Sequence, residues 1–402
     1  MKPEIAFHKP FLSGNELSYI AQTVSRREIG ADGVFTQRCA QLLRERLGVP
    51  AVFILNSCTA ALEMAATLCE LGEGDEVILP SFTFAATANA VLRAGARPVF
   101  VDIRPDTLNI DENLVEPAIT RRTKAIFPIH YAGVACEMDR LMAIACRYGL
   151  RVVEDAAHAV NAFYRGRALG TIGDFGAYSF HSTKNYTSGE GGALCVRLPE
   201  KVERAEIIRD KGTDRSRFLR GEVARYSWVD LGGSYLPSEI SCAFLCAQLE
   251  AMGRIKELRR RIFDDYYLYL SEFEEKGCLR LPRVPQDCDT NYHLFYILLP
   301  EKAVRDRLLK YFRQKGIQAH FHYTPLHSSP MGRTLGYSCG DFPLTEELSG
   351  RLLRLPLYPD LRPEEQVRIV DCLRSFFRKA RATFQTPRSK SAGQSYIATR
   401  TA

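Results

Sequence analysis

Lys184 closes the run Ser179-Phe180-His181-Ser182-Thr183-Lys184, just before the glycine turn Gly189-Glu190-Gly191-Gly192. A lysine whose charge is disfavoured by desolvation or by a cationic neighbour is a nucleophile that can form a Schiff base with a carbonyl. Asp155 lies 29 residues upstream in Glu154-Asp155-Ala156-Ala157-His158 and offers a carboxylate. Asn56-Ser57-Cys58-Thr59 brings two hydroxyls and free amides to the start of a helical pattern, where the N-terminal dipole favours a phosphate. Pro80-Ser81-Phe82-Thr83-Phe84 adds two aromatics, and His130-Tyr131 a further pair of rings. Taken singly, Ser57 and Thr59 are open to capping roles, Phe82 and Phe84 to core packing, and Asp155 to a cap or an ion pair. Together they suit a planar, phosphorylated ligand that needs a buried acid beneath a basic ring atom.

The elements that must hold these groups are set by the hydrophobic pattern. Short apolar runs at 52–55, 76–79, 98–101, 125–129 and 151–154 alternate with helical periods at 60–71, 85–94 and 137–148, as β-α-β units do in a mainly parallel sheet. Gly72, Gly95 and Gly149 fit left-handed helix ends. In open parallel sheets ligands bind beyond the carboxyl ends of the strands, where each of the chemical residues above falls. After Ser238 one amphipathic stretch runs to about Leu270, followed by a strand at 293–299 and shorter elements. The expected organisation is an N-terminal arm with a large α/β domain (1–250), a smaller C-terminal α+β domain with its connecting helix (251–378), and a disordered basic tail (379–402) too polar to offset the entropy of ordering.

Composition narrows the function classes. The chain has 402 residues and a formal charge of +7, but six basic and no acidic residues lie beyond position 377. The rest carries 48 positive against 47 negative charges, so a nucleic-acid groove is not expected. Twelve cysteines without a C-x-x-C pair read as reduced thiols, and His320-Phe321-His322 lacks a third ligand, so no metal is expected. No export segment or membrane-length apolar run appears, which predicts a cytoplasmic protein without a membrane partner.

The lysine run and glycine turn, the Glu154 to His158 segment, the stretch from Pro80 through Ala90, His322-Tyr323-Thr324-Pro325-Leu326-His327 and Leu355-Pro356-Leu357-Tyr358 together resemble the DegT/DnrJ/EryC1/StrS family of sugar aminotransferases over residues 4–378. The resemblance implies the type I aminotransferase fold, pyridoxal 5′-phosphate (with pyridoxamine phosphate as its alternate form), and a homodimer with shared active sites. His130 through Asp139 and Asp210-Lys211-Gly212-Thr213-Asp214-Arg215-Ser216 are most similar to the branch that aminates dTDP-4-dehydro-6-deoxyglucose for enterobacterial common antigen. That implies L-glutamate as donor and dTDP-4-amino-4,6-dideoxy-D-galactose as product.

Carried over by position, Lys184 matches the Schiff-base lysine and Asp155 the partner of the pyridine nitrogen. His158 matches a residue beside the ring and Phe84 the aromatic covering its other face. Ser57, Cys58, Thr59, the amide of Ala60 and Ser179 match the phosphate site. The family's partner-donated asparagine is replaced by Ser234, within Gly232-Gly233-Ser234-Tyr235-Leu236, whose shorter reach weakens that expectation. Arg215, Arg217, Tyr323 and His327 are candidates for substrate contact, with solvated or packing roles equally open. A dehydratase of the same family carries histidine in place of the lysine, so Lys184 argues against it. The remaining alternatives are an aminotransferase of the same family acting on another nucleotide keto sugar and a non-catalytic sensor of nucleotide sugar or cofactor.

Overall fold

A computed structural model describes residues 4–384. Seven strands form the central sheet in the order Ala51–Leu55, Gly192–Val196, Phe175–Ser179, Arg151–Asp155, Thr123–Ile126, Glu76–Pro80, Arg97–Val101. Only Gly192–Val196 runs against its neighbours; the others share one direction and so deliver their carboxyl ends to one edge. Most of these strand residues are buried on both faces, as crossover helices require. One apolar cluster on a sheet face includes Val52, Ile54, Ile78, Ile126 and Val152, and a second includes Phe53, Leu55, Val77, Leu79 and Val153, so alternate residues serve opposite cores.

The predicted strand at 125–129 ends at Ile126, because Pro128 lacks the N–H that a ladder needs; Ile129 keeps a single bridge to Asp155. Gly149 closes helix Met138–Tyr148 in the left-handed region, and Gly95 adopts φ +86° just past its helix. Gly72 does not: helix Cys58–Leu68 stops earlier and Glu70 takes the positive φ of 58°. The single amphipathic helix expected after Ser238 is two helices, Glu239–Glu250 and Met252–Glu275, meeting at Ala251.

The smaller C-terminal α+β domain pairs Phe295–Leu298 with Leu352–Leu355 and packs them against helices Met252–Glu275, Lys302–Gln314 and Pro363–Phe384 through Phe295, Leu308, Phe312, Leu353 and Leu373. Helix Pro363–Phe384 runs past residue 378 into the first residues assigned to the tail; 385–402 lie outside the described residues. The N-terminal arm crosses to this domain, with Ile5 N–H donating to Gly316 O at 2.9 Å and Ile5 O accepting from Gln318 N–H at 3.0 Å. No helix among the described residues is long and apolar enough to cross a membrane.

Candidate active site

A cavity of about 640 Å³ opens at the carboxyl edge of the sheet, between the two domains. It is lined by Ser57, Cys58, Thr59, Phe84, Asp155, His158, Ser179, Lys184 and Tyr323 among the residues singled out from sequence. Its size suits a small-molecule site.

Lys184 sits on the loop that leaves strand Phe175–Ser179, and that loop fixes its position. Its N–H donates to His181 O at 2.9 Å, and the loop is pinned by Phe180 N–H on Gly191 O at 2.8 Å and Thr187 Oγ1 on Phe180 O at 3.1 Å. The next residues anchor it from below: Asn185 Nδ2 donates to Asn291 O at 2.8 Å, and buried Tyr186 receives Asn161 Nδ2 at 3.1 Å. The Lys184 amine is pulled down to about 8, chiefly because burial disfavours its charge and in smaller part by Arg354; Cys58 and Asp155 oppose the shift.

Asp155 ends its strand with the carboxylate held from two sides. Thr87 Oγ1 donates to Oδ2 at 2.7 Å and the Ala157 amide to Oδ1 at 3.1 Å, while Thr83 Oγ1 lies 2.9 Å from Thr87 Oγ1. Its neighbour Glu154 points to the other face, accepting from the amides of Gly170, Ile172 and Gly173 and lying 2.8 Å from His130 Nε2. His130 Nδ1 accepts from the Cys136 amide at 3.2 Å, so Nε2 carries the proton and His130 is a packing residue.

His158 lines the same cavity as Asp155. Its Nδ1 accepts from the Ala132 amide at 3.3 Å, which leaves Nε2–H to donate to Tyr323 Oη at 3.3 Å. Burial first, then the charge of Lys184, hold its pKa well below the usual histidine value, so the ring is neutral. Phe82 is buried edge-on to Tyr131 and Tyr323 and belongs to the core, whereas Phe84 is 66% exposed and faces the cavity.

Opposite stands the start of helix Cys58–Leu68. Ser57 Oγ accepts from the Ala60 amide at 3.1 Å. The Ala60 N–H expected to meet a phosphate is thus committed to the cap, and Ala60 is buried outside the cavity lining. The amides of Cys58 and Thr59, the Thr59 hydroxyl and Ser179 remain as the polar groups of this end. Strand Gly192–Val196 approaches so closely that a Cβ on Gly192 would lie 2.4 Å from Cys58 N and Ser57 O. Only glycine permits this cradle. Amides and hydroxyls at a helix N-terminus, a buried carboxylate and an amine pulled down to about 8 are the donor set that pyridoxal phosphate requires.

Four sequence candidates fall elsewhere. His327 is fully buried, with Nδ1 at 2.7 Å from Ser81 Oγ and Nε2 at 2.8 Å from Glu346 Oε1; it ties the C-terminal domain to the strand Glu76–Pro80 and does not line the cavity. Arg215 pairs with Asp210 at 3.4 Å and Arg217 with Glu222 at 3.3 Å, both outside the cavity of the single chain. Ser234 lies outside the cavity, its carbonyl accepting Asn56 Nδ2 at 3.0 Å. Sequence reading missed Thr87, Arg259, His293, His322 and Arg354. An arginine inside the apolar run Leu352-Leu353-Arg354-Leu355 was the one available signal.

The model of the DegT/DnrJ/EryC1/StrS aminotransferase family matches residues 12–374. GDP-perosamine synthase of Caulobacter vibrioides is 32% identical over 373 residues, 92% of this chain and 98% of that protein. The aminotransferase TlmJ of Streptoalloteichus hindustanus superposes with a TM-score of 0.86 at 30% identity, covering 94% of this chain and all of that one. Spr1654 of Streptococcus pneumoniae, assigned as a sugar aminotransferase, is similar in its pyridoxamine phosphate form (TM-score 0.87, 27% identity, 93% and 99% coverage) and its pyridoxal phosphate form (0.86, 26%, 94% and 99%). With a family match over nearly the whole length and a cavity built for that cofactor, the chain belongs to the DegT/DnrJ/EryC1/StrS family and is a pyridoxal-phosphate-dependent aminotransferase.

Proposed function

We propose that the protein transfers the amino group of L-glutamate to C4 of dTDP-4-dehydro-6-deoxy-D-glucose, giving 2-oxoglutarate and dTDP-4-amino-4,6-dideoxy-D-galactose. The single observation that carries transamination is Lys184, an amine of pKa about 8 in a cavity that also holds the Asp155 carboxylate. Pyridoxal phosphate, when bound, supplies a carbonyl that exchanges nitrogen partners and a ring that accepts the electron pair left by a departing proton. Lys184 is the residue that would hold that carbonyl, and its Nζ, when free, would take the proton from the donor α-carbon and return it on the cofactor side.

Asp155, fixed by Thr87 and the Ala157 amide, is the carboxylate that would keep the ring nitrogen protonated. His158 and Phe84, which line the cavity, would confine the ring, and Cys58, Thr59 and Ser179 would hold the phosphate, with Ser57 shaping the helix start. Ser234, which lies outside this chain's own cavity, would serve the partner subunit's phosphate in a homodimer. The sugar and its thymidine nucleotide rest on the likeness carried by residues 130–139 and 210–216.

The test is the absorbance spectrum of the cofactor-loaded protein. L-glutamate should bleach the visible band and the dTDP keto sugar should restore it, with the C4 configuration read by NMR of the product. Recovery with a GDP-linked keto sugar alone would move the assignment toward the GDP-linked sugars in the name of the Caulobacter relative, GDP-perosamine synthase. A band that glutamate and other amino donors leave unchanged would favour a sensor.

A further inference from the structure

Arg354 lies in strand Leu352–Leu355 on the C-terminal wall of the cavity. One edge of its guanidinium is used, Nη2 donating to Phe321 O at 3.2 Å, and one face is covered by the Phe7 ring, 4.7 Å from centroid to charge. Nε is buried without a partner. Stacking on an aromatic face leaves the in-plane N–H groups free, the geometry that grips a planar carboxylate with two parallel hydrogen bonds. Among the described residues no carboxylate pairs with Arg354, and the neighbours that favour its charge are the phenols of Tyr131 and Tyr323.

The other cations of the cavity are committed. Arg259 donates through Nε to Tyr292 O at 3.0 Å and through Nη2 to His293 O at 2.6 Å and Leu357 O at 3.3 Å. Lys184 is the reacting amine. Arg354 is therefore the guanidinium that faces the cavity with donors to spare and no counter-ion. A desolvated cation left in this way is costly in the resting protein and becomes favourable only when an anion enters.

We propose that Arg354 is the anchor for a carboxylate of the amino donor. The inference rests on the transaminase reading. An amino acid must present its nitrogen at Lys184 with a carboxylate one carbon away, so its anchor must stand within electrostatic reach of that amine, and Arg354 is among the charges that act on Lys184. The diphosphate of a nucleotide sugar is separated from C4 by the pyranose ring and falls nearer the mouth. The phosphate cradle, in turn, is on the large-domain wall at Ser57 to Thr59. Phe7 reaches Arg354 from the N-terminal arm, so the arm keeps water from the face of the ion.

The test separates this assignment from the function. Glutarate, a dicarboxylate without an amine, is titrated calorimetrically into the cofactor-loaded wild type, Arg354→Gln and Arg354→Lys. Arg354→Gln should weaken it by roughly 10²-fold, and Arg354→Lys by less. In the separate half-reactions the same variant should raise half-saturation for L-glutamate by a similar factor and leave that for the keto sugar within about twofold. Equal glutarate affinity in wild type and Arg354→Gln overturns the proposal. So does a loss confined to the keto sugar, which would make Arg354 a diphosphate contact. A wild type that binds glutarate through Arg354 yet reacts with no amino donor would sink the transaminase reading and leave the anion site standing. Thermal melting of Arg354→Lys, which keeps the charge, controls for a folding defect.

Discussion

Proton affinity at one nitrogen decides how this site can start. A lysine in water holds its proton to about 10.5, whereas Lys184 releases it near 8, first because the cavity desolvates the ion and then because Arg354 repels it. In the cofactor-free protein, acetylation of Lys184 read by peptide mass spectrometry should show a midpoint near 8, and a midpoint near 10.5 would refute the desolvated amine. Asp155 favours the charged form, so Asp155→Asn should move that midpoint lower; an upward shift would mean the carboxylate does not face the amine. Both residues were legible in the sequence because each succeeds or ends a strand of recognisable pattern. Thr87 and Arg354 were not, since a threonine early in a helix and a cation in an apolar strand acquire meaning only when a distant strand end is brought beside them. His327 was left open between substrate contact and packing for the same reason: its partners Ser81 and Glu346 are 246 and 19 residues away. His327→Ala leaves the Ser81 hydroxyl with only the residue-327 amide, removes the imidazole from Glu346, and should cost about 1–3 kcal/mol of stability while leaving half-saturation for the sugar unchanged. A stable variant with weakened sugar binding would return His327 to the substrate site.

Elements translate these residues into a site through two close approaches. The first is the contact of strand Gly192–Val196 with the turn into helix Cys58–Leu68, where a Cβ on Gly192 would collide with backbone on which the phosphate end of the cavity depends. Gly192→Ala should lower cofactor affinity by at least about tenfold, measured by equilibrium dialysis, because the first-turn amides must shift together. Retained affinity would show that the cradle tolerates the movement. Removing the cap by Ser57→Ala has a different signature, about 1 kcal/mol of stability with a smaller effect on the cofactor. The second approach is the N-terminal arm, joined to the C-terminal domain at Ile5 and reaching the cavity at Phe7 and His8. The parallel strands were legible because burial on both faces makes them continuous apolar runs. The arm's destination was not, because Ile5 meets Ile317 and no local pattern encodes a partner so far along the chain.

At the scale of the whole molecule, the single chain leaves an apolar stretch uncovered beside its own active site. Trp228 is 79% and Leu231 72% exposed, with Leu219, Tyr226 and Val229 also outward, a concentration of the kind that a protein partner covers. The same segment continues into Ser234, whose carbonyl is tied to Asn56 at the entrance of the phosphate cradle while its side chain is outside this chain's cavity. A twofold dimer over this surface would seal the apolar residues and carry Ser234 into the neighbouring site. Subunit mixing distinguishes a shared site from a self-contained one. Lys184→Ala and Ser234→Asp, each expected to be inactive alone, are co-expressed with different tags. If Ser234 serves the partner, every mixed dimer holds one site with both defects and one with none, so activity should return to about a quarter of wild type with half the dimers mixed. If Ser234 serves its own chain, both sites of a mixed dimer are defective and no activity returns. Trp228→Asp combined with Leu231→Asp should give a monomer by mass photometry and abolish the recovery, tying complementation to that surface.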